Sequence, residues 1–152
     1  MVENELSFDE FAARVNLPLR QALVGALGPD RGEDGHALAM GYAWEHRQRV
    51  MAMESPVGYL FRVGRSQTRV RRKQIPPQYL LPVETPPEYE PELASALGGL
   101  PEKQRLAVFL VIGCGWSKAD VARMTGRSES TIGTLVRRGL ARLRQDLKAE
   151  EA

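Results

Sequence analysis

Apolar residues in the last third of the chain recur at helical spacing. Ile132, Leu135, Val136, Gly139, Leu140, Leu143 and Leu147 fall on one helix face. At about 100° per residue, the opposite face gathers Ser130, Thr134, Arg137 and Arg138, with Thr131 and Arg142 on its flank. The run Ser128-Glu129-Ser130-Thr131 marks the start, where a serine can cap the first turn and leave N–H groups pointing at a phosphate. Upstream, Lys118 to Met124 reads as a short helix that buries Ala119, Val121, Ala122 and Met124 and closes at Thr125-Gly126. Pro101 opens an earlier helix through Ile112, with Leu106, Phe109 and Leu110 at core spacing, and Gly113-Cys114-Gly115 stops it. Trp116 then reads as a hinge residue beneath the turn. Two short helices around a tight turn form a helix-turn-helix, a unit that places its second helix in the major groove of DNA.

The first half carries the same period. Ser7-Phe8-Asp9-Glu10 has the form of a capping box. Phe8, Phe11, Val15, Leu19, Leu23 and Leu27 form a stripe that Pro18 is expected to kink or briefly break. Gly28-Pro29-Asp30-Arg31-Gly32 reads as a turn, and Asp34 to Val50 as a second helix with Leu38, Tyr42 and Trp44 inward. After Ser55-Pro56 a third helix runs from Val57 to Lys73 with Leu60, Val63 and Phe61 or Tyr59 as core. No strand pattern competes, so the expected fold class is all-α.

Proline placement divides the chain. Six of its 10 prolines, Pro76, Pro77, Pro82, Pro86, Pro87 and Pro91, lie between Gln74 and Glu92, a stretch that also holds four Glu and no Lys or Arg. Such a segment is extended and solvated. The expected organisation is therefore a helical domain over 1–73, a Pro/Glu-rich linker over 74–92, and a helix-turn-helix domain over 93–152.

Charge changes the picture through its distribution, since the net value is only +2 over 152 residues. Residues 93–152 hold ten Lys plus Arg against six Asp plus Glu, and the acids stay mostly off the Ser130 to Arg142 face. Arg62, Arg65, Arg69, Arg71, Arg72 and Lys73 put six positive charges into twelve residues without an acid. Arg62, Arg65 and Arg69 share a face, and Tyr59 and Phe61 precede them, an arrangement that tracks a phosphate backbone while aromatics meet bases. A solvated basic helix end favoured by the helix dipole is the plainer reading of the same charges.

Other chemistries are thin. The one cysteine, Cys114, excludes an internal disulfide and fits a reducing compartment as a small buried thiol. Asp30, Glu33, Asp34 and His36 lack a fixed ligand spacing, so no metal is expected; His46 reads as an exposed helix residue. Gly28 to Gly35 lacks the Gly-Lys-Ser/Thr ending of a phosphate loop, and no nucleophile, base and orienter assemble, so neither cofactor nor enzymatic activity is expected. No apolar run approaches the roughly 20 residues of a membrane span. The acidic start is unlike a signal peptide, and a cytoplasmic protein is expected.

With these residues in view, the chain resembles a small bacterial RNA polymerase sigma factor of the extracytoplasmic-function type. Leu100-Pro101-Glu102-Lys103-Gln104-Arg105 resembles the start of that family's region four, Trp116 to Ala122 its first helix of the helix-turn-helix, and Ser128 to Arg144 its recognition helix and arginine-rich tail. Glu33-Asp34, Ala43-Trp44 and the run Ser55 to Arg65 resemble region two. The resemblance implies that region two docks on the clamp of the polymerase core's largest subunit and opens the minus-10 element, while region four reads the minus-35 element as duplex. By position, Ser130, Thr131, Thr134 and Arg137 would meet minus-35 base edges, with Arg127, Ser128, Arg138 and Arg142 on phosphates. Arg62, Arg65, Ser66 and Arg69 would lie along the minus-10 element, and the Arg49 to Ser55 loop is where the family captures an unstacked base. Leu38, Met40, Gly41 and Trp44 would face the polymerase core, and an anti-sigma factor joins the partners that the resemblance brings into view.

The chain departs from the family pattern where acidic and amide residues usually line the polymerase-binding helix, since Ala37, Met40 and Gly41 stand there. Ser66 replaces a common Asn, Val70 a common Asp, and Gly133 a frequent basic residue. Two other classes stay open at this point: a stand-alone helix-turn-helix regulator, and a degenerate sigma-like protein that acts through protein–protein interaction.

Overall fold

The computed structural model describes the backbone of residues 2–74 and 91–151. The described residues form α1 (Val2–Leu27), α2 (Pro29–Glu45), α3 (Arg47–Met51), α4 (Pro56–Gln74), α5 (Pro91–Gly98), α6 (Glu102–Val108), α7 (Lys118–Thr125) and α8 (Glu129–Glu151). A π-helical turn, Phe109–Gly113, extends α6. The fold is all-α, and the chain divides into two compact units, Met1–Leu81 and Pro82–Ala152. The expected linker falls largely outside the described residues. Gln74 still belongs to α4, and Pro91 and Glu92 already belong to α5.

In the first unit, α1 buries Phe8, Phe11, Val15, Leu19 and Leu23 as the stripe requires, together with Ala22 and Ala26. Two expectations for this helix fail. It begins at Val2, so Ser7 is an interior residue and caps nothing. It also continues through Pro18. An interior proline costs roughly 3 kcal/mol, and the flanking Val15 and Leu19, both fully packed, hold the helix across it.

The second helix also differs from its expected form. Gly28 takes φ +88° and Pro29 occupies the first helical position, so the residues read as a turn are the first turn of α2. Its buried face is Gly32, Gly35, Ala39 and Ala43, while Leu38 and Tyr42 are half-buried and Trp44 is 43% exposed. Small residues are required there. A Cβ on Gly32 would lie 2.5 Å from the Val24 Cα of α1, and one on Gly64 of α4 would lie 2.8 Å from the Gly35 carbonyl oxygen. The three helices thus meet nearly backbone to backbone, and Leu60, Phe61 and Thr68 of α4 close the core. The predicted single helix to Val50 breaks at His46, after which α3 turns Val50 inward.

The second unit packs Ala96, Leu100, Val108 and Leu143 as a core, with Leu97, Leu140 and Leu147 against it. Cys114 is a free, half-buried thiol, and that burial raises its pKa and favours the protonated form. Among the described residues no helix is long and apolar enough to cross a membrane, and no group of three His, Cys, Asp or Glu side chains is placed to hold a metal ion. Glu33, one of the acids near His36, instead pairs with Arg20 at 2.8 Å.

Candidate nucleic-acid interface

The helix-turn-helix is built from local hydrogen bonds that the sequence dictates. Ser117 caps α7 by accepting from the Asp120 N–H at 3.0 Å. Gly126, at φ +72°, ends the helix in the left-handed conformation, and the Arg127 N–H then reaches the Ala122 carbonyl at 2.9 Å. Ser128 opens α8 by accepting from the Thr131 N–H at 3.1 Å. The predicted Thr125-Gly126 stop and the serine cap of α8 are therefore present, and the Ser117 cap of α7 adds to them.

Along α8, Ile132, Val136, Gly139 and Leu143 are buried and Leu135, Leu140 and Leu147 half-buried, as their spacing requires. Gly139 holds the helix close to α6, since a Cβ there would lie 2.6 Å from a Val108 methyl. Arg127, Ser128, Ser130, Thr131, Arg137, Arg138 and Arg142 are all exposed. Thr134 is half-buried and donates its hydroxyl to the Ser130 carbonyl at 3.2 Å; the Thr131 and Ser128 hydroxyls bond each other at 2.8 Å. Hydroxyls engaged in this way still present acceptor lone pairs. What emerges is a rigid helix with a hydroxyl-rich first turn and arginines from its third turn onward.

On α4, Arg62, Ser66 and Arg69 are exposed on one face, and Arg65 lies half-buried on its flank with its guanidinium 5.6 Å from the Phe61 ring centre. The aromatic part of the expectation does not hold. Phe61 is 4% exposed, a core residue that cannot stack on a base because its ring is buried within the first unit. Tyr59 is engaged as well: its hydroxyl lies 2.9 Å from that of Tyr42 and accepts from Arg49 at 3.3 Å. Arg49 also bonds the Tyr42 hydroxyl, and the Tyr42 ring stacks on His46 at 4.1 Å. The Tyr59 contact is foremost in raising the Tyr42 pKa, so that phenol stays neutral. Sequence reasoning missed this cluster; the i, i+4 spacing of Tyr42 and His46 was its only local sign. Arg49 to Met51 are helical, so the loop read as Arg49 to Ser55 is confined to Ala52–Ser55.

Met40, Gly41 and Trp44 lie on the outward side of α2, with Leu38 at its margin. Trp44 meets the Phe8 ring edge-on at 5.0 Å, and the Arg47 guanidinium sits 4.3 Å over its ring. The outward side of this helix around Gly41 thus combines Ala37, Met40 and Trp44 with the exposed carboxylate of Glu45.

Residues 91–143 match the family model for Sigma-70, region 4. The chain is also similar in fold to the sigma factor RpoE of Bartonella quintana, solved in complex with the anti-sigma factor NepR. The TM-score is 0.65 at 24% identity, over 93% of this chain and 96% of that one. No curated protein matches the sequence. The region 4 match thus lies within the C-terminal unit, and the likeness to the solved structure covers the fold of nearly the whole chain.

Proposed function

We propose that the chain binds RNA polymerase core and directs promoter-specific initiation of transcription, with residues 93–152 reading a minus-35 element as duplex and residues 1–73 engaging the core and the minus-10 element. The observation that carries this reading is the α8 surface: one fully packed face, and opposite it Ser130, Thr131, Arg137, Arg138 and Arg142 exposed behind a capped N-terminus. Side chains reaching base edges set sequence choice, and Arg127, Ser128, Arg138 and Arg142 on phosphates supply affinity. The exposed Arg62, Ser66 and Arg69, with half-buried Arg65, give the first unit a cationic face for the minus-10 strand. Leu38, Met40, Gly41 and Trp44 form the surface assigned to the core. Partners are then core polymerase and promoter DNA. The complex of the similar fold with an anti-sigma factor makes such a protein a third candidate.

Pull-down with core polymerase followed by run-off transcription over a promoter library tests the reading. Specific transcripts that vanish in Arg137→Ala are expected, and failure to bind core at micromolar concentration refutes it. One observation favours a second reading, a stand-alone regulator: the matched family model covers residues 91–143, which lie in the C-terminal unit. In that case the double replacement Arg65→Ala and Arg69→Ala leaves function intact, whereas promoter opening requires those residues.

A further inference from the structure

The recognition helix has a gap in its charge. From Glu129 to Val136, its first two turns carry an acid and no Lys or Arg, and the arginines begin at Arg137. Yet the N-terminal part of a recognition helix is the part that enters the groove. A glycine inside a helix costs about 1 kcal/mol relative to alanine, and at Gly133 it leaves the helix surface without a side chain. Gly133 lies three residues after Ser130 and four before Arg137, on the stripe those residues share.

The structure fills that place from another element. Lys118 opens α7, is exposed, and carries its ammonium to 3.8 Å from the position a Cβ on Gly133 would occupy. That is ordinary contact distance, and apart from the adjacent Ile132 and Thr134 no other side chain comes within 4 Å of that position. A larger residue at 133 would extend into the space the ammonium uses. The bare helix surface at Gly133 and the lysine beside it therefore form one device, which gives the first half of α8 a cation that its own sequence lacks.

We infer that Lys118 is a DNA-contacting residue that neutralises a backbone phosphate beside the N-terminal half of α8, and that Gly133 is the seat that lets it do so. The assignment rests on the DNA-reading role proposed for α8. A lysine ammonium is a point charge without the planar fork that reads a guanine edge, so its contribution is to affinity on any sequence.

The test uses the full chain, a duplex enriched by it from a randomised library, and a scrambled duplex of equal length. Affinity is measured by fluorescence anisotropy across a salt series. Lys118→Met is expected to weaken binding to both duplexes by the same factor and to lower the slope of log affinity against log salt by about one. Lys118→Arg is expected to keep that slope. Gly133→Leu is expected to reproduce the loss and to add nothing to it in the Lys118→Met background. Arg137→Ala separates the two levels of argument. If it weakens binding while Lys118→Met leaves the slope unchanged, the lysine's role is overturned. A loss in Lys118→Met confined to the enriched duplex overturns the phosphate assignment. If Arg137→Ala also binds as wild type, the DNA-reading role of α8 falls and this inference with it.

Discussion

Single residues decide how closely the first three long helices approach. Gly41 and Gly64 are both helical glycines with opposite surroundings, because nothing lies within 4 Å of a Cβ at Gly41, whereas one at Gly64 would meet the Gly35 carbonyl and both Leu23 methyls at 3.0 Å or less. Gly41→Ala is therefore expected to stabilise the protein by about 0.5–1 kcal/mol through helix propensity alone. Gly64→Ala is expected to destabilise it by roughly 1–3 kcal/mol, because the backbone of α2 must move away. Urea unfolding of the two variants measures both signs. Thr68 gives a third case: its hydroxyl is buried, 3.0 Å from the place a Cβ on Gly35 would take, and has no hydrogen-bond partner. Removing an unmet buried hydroxyl relieves a penalty of roughly 1–3 kcal/mol, so Thr68→Val is expected to raise the midpoint of the same titration.

Among the elements, α8 depends on its cap and α2 on a neutral histidine. Ser128→Ala removes the acceptor for the Thr131 N–H and is expected to lower stability by about 1 kcal/mol, with fraying of the first recognition turn visible in amide exchange. His36 is half-buried between α1 and α2, where burial first and Arg20 second press its pKa below the ordinary imidazole range, against the weaker pull of Glu33 and the Asn16 backbone. The unfolded chain then binds the proton more readily than the folded one. Stability of the first unit is thus full above about pH 6.5, the unfolded value, and declines as pH falls below it. In His36→Gln that decline should be absent from thermal melts recorded between neutral and mildly acid pH. The elements also show what the sequence made legible. α8 and α4 announce themselves, since Leu and Ile on one side and Arg on the other give a strong period. α2 hides its core, because Gly32, Gly35, Ala39 and Ala43 carry almost no apolar signal, and larger residues such as Trp44 were assigned inward in their place. Lys118 beside Gly133, and Arg49 between Tyr42 and Tyr59, join residues from different helices, so no local pattern contains them.

At the level of the whole molecule, two units with separate cores are expected to fail separately. A variant that loosens the first, such as Gly64→Ala, should shift one calorimetric transition and leave the other in place, with duplex binding by α8 unchanged. The division also distributes the chain's two tryptophans, one to each unit. Trp44 is exposed beneath a guanidinium and edge-on to Phe8, whereas Trp116 is half-buried at the start of the helix-turn-helix. Each unit therefore carries its own fluorophore in a different polarity. Emission from Trp44 should be red-shifted and readily quenched by acrylamide, and any protein that covers the outward side of α2 should shield it. With Trp44→Phe in the background, the remaining light comes from Trp116 alone, an intrinsic optical signal for the C-terminal unit that needs no attached dye.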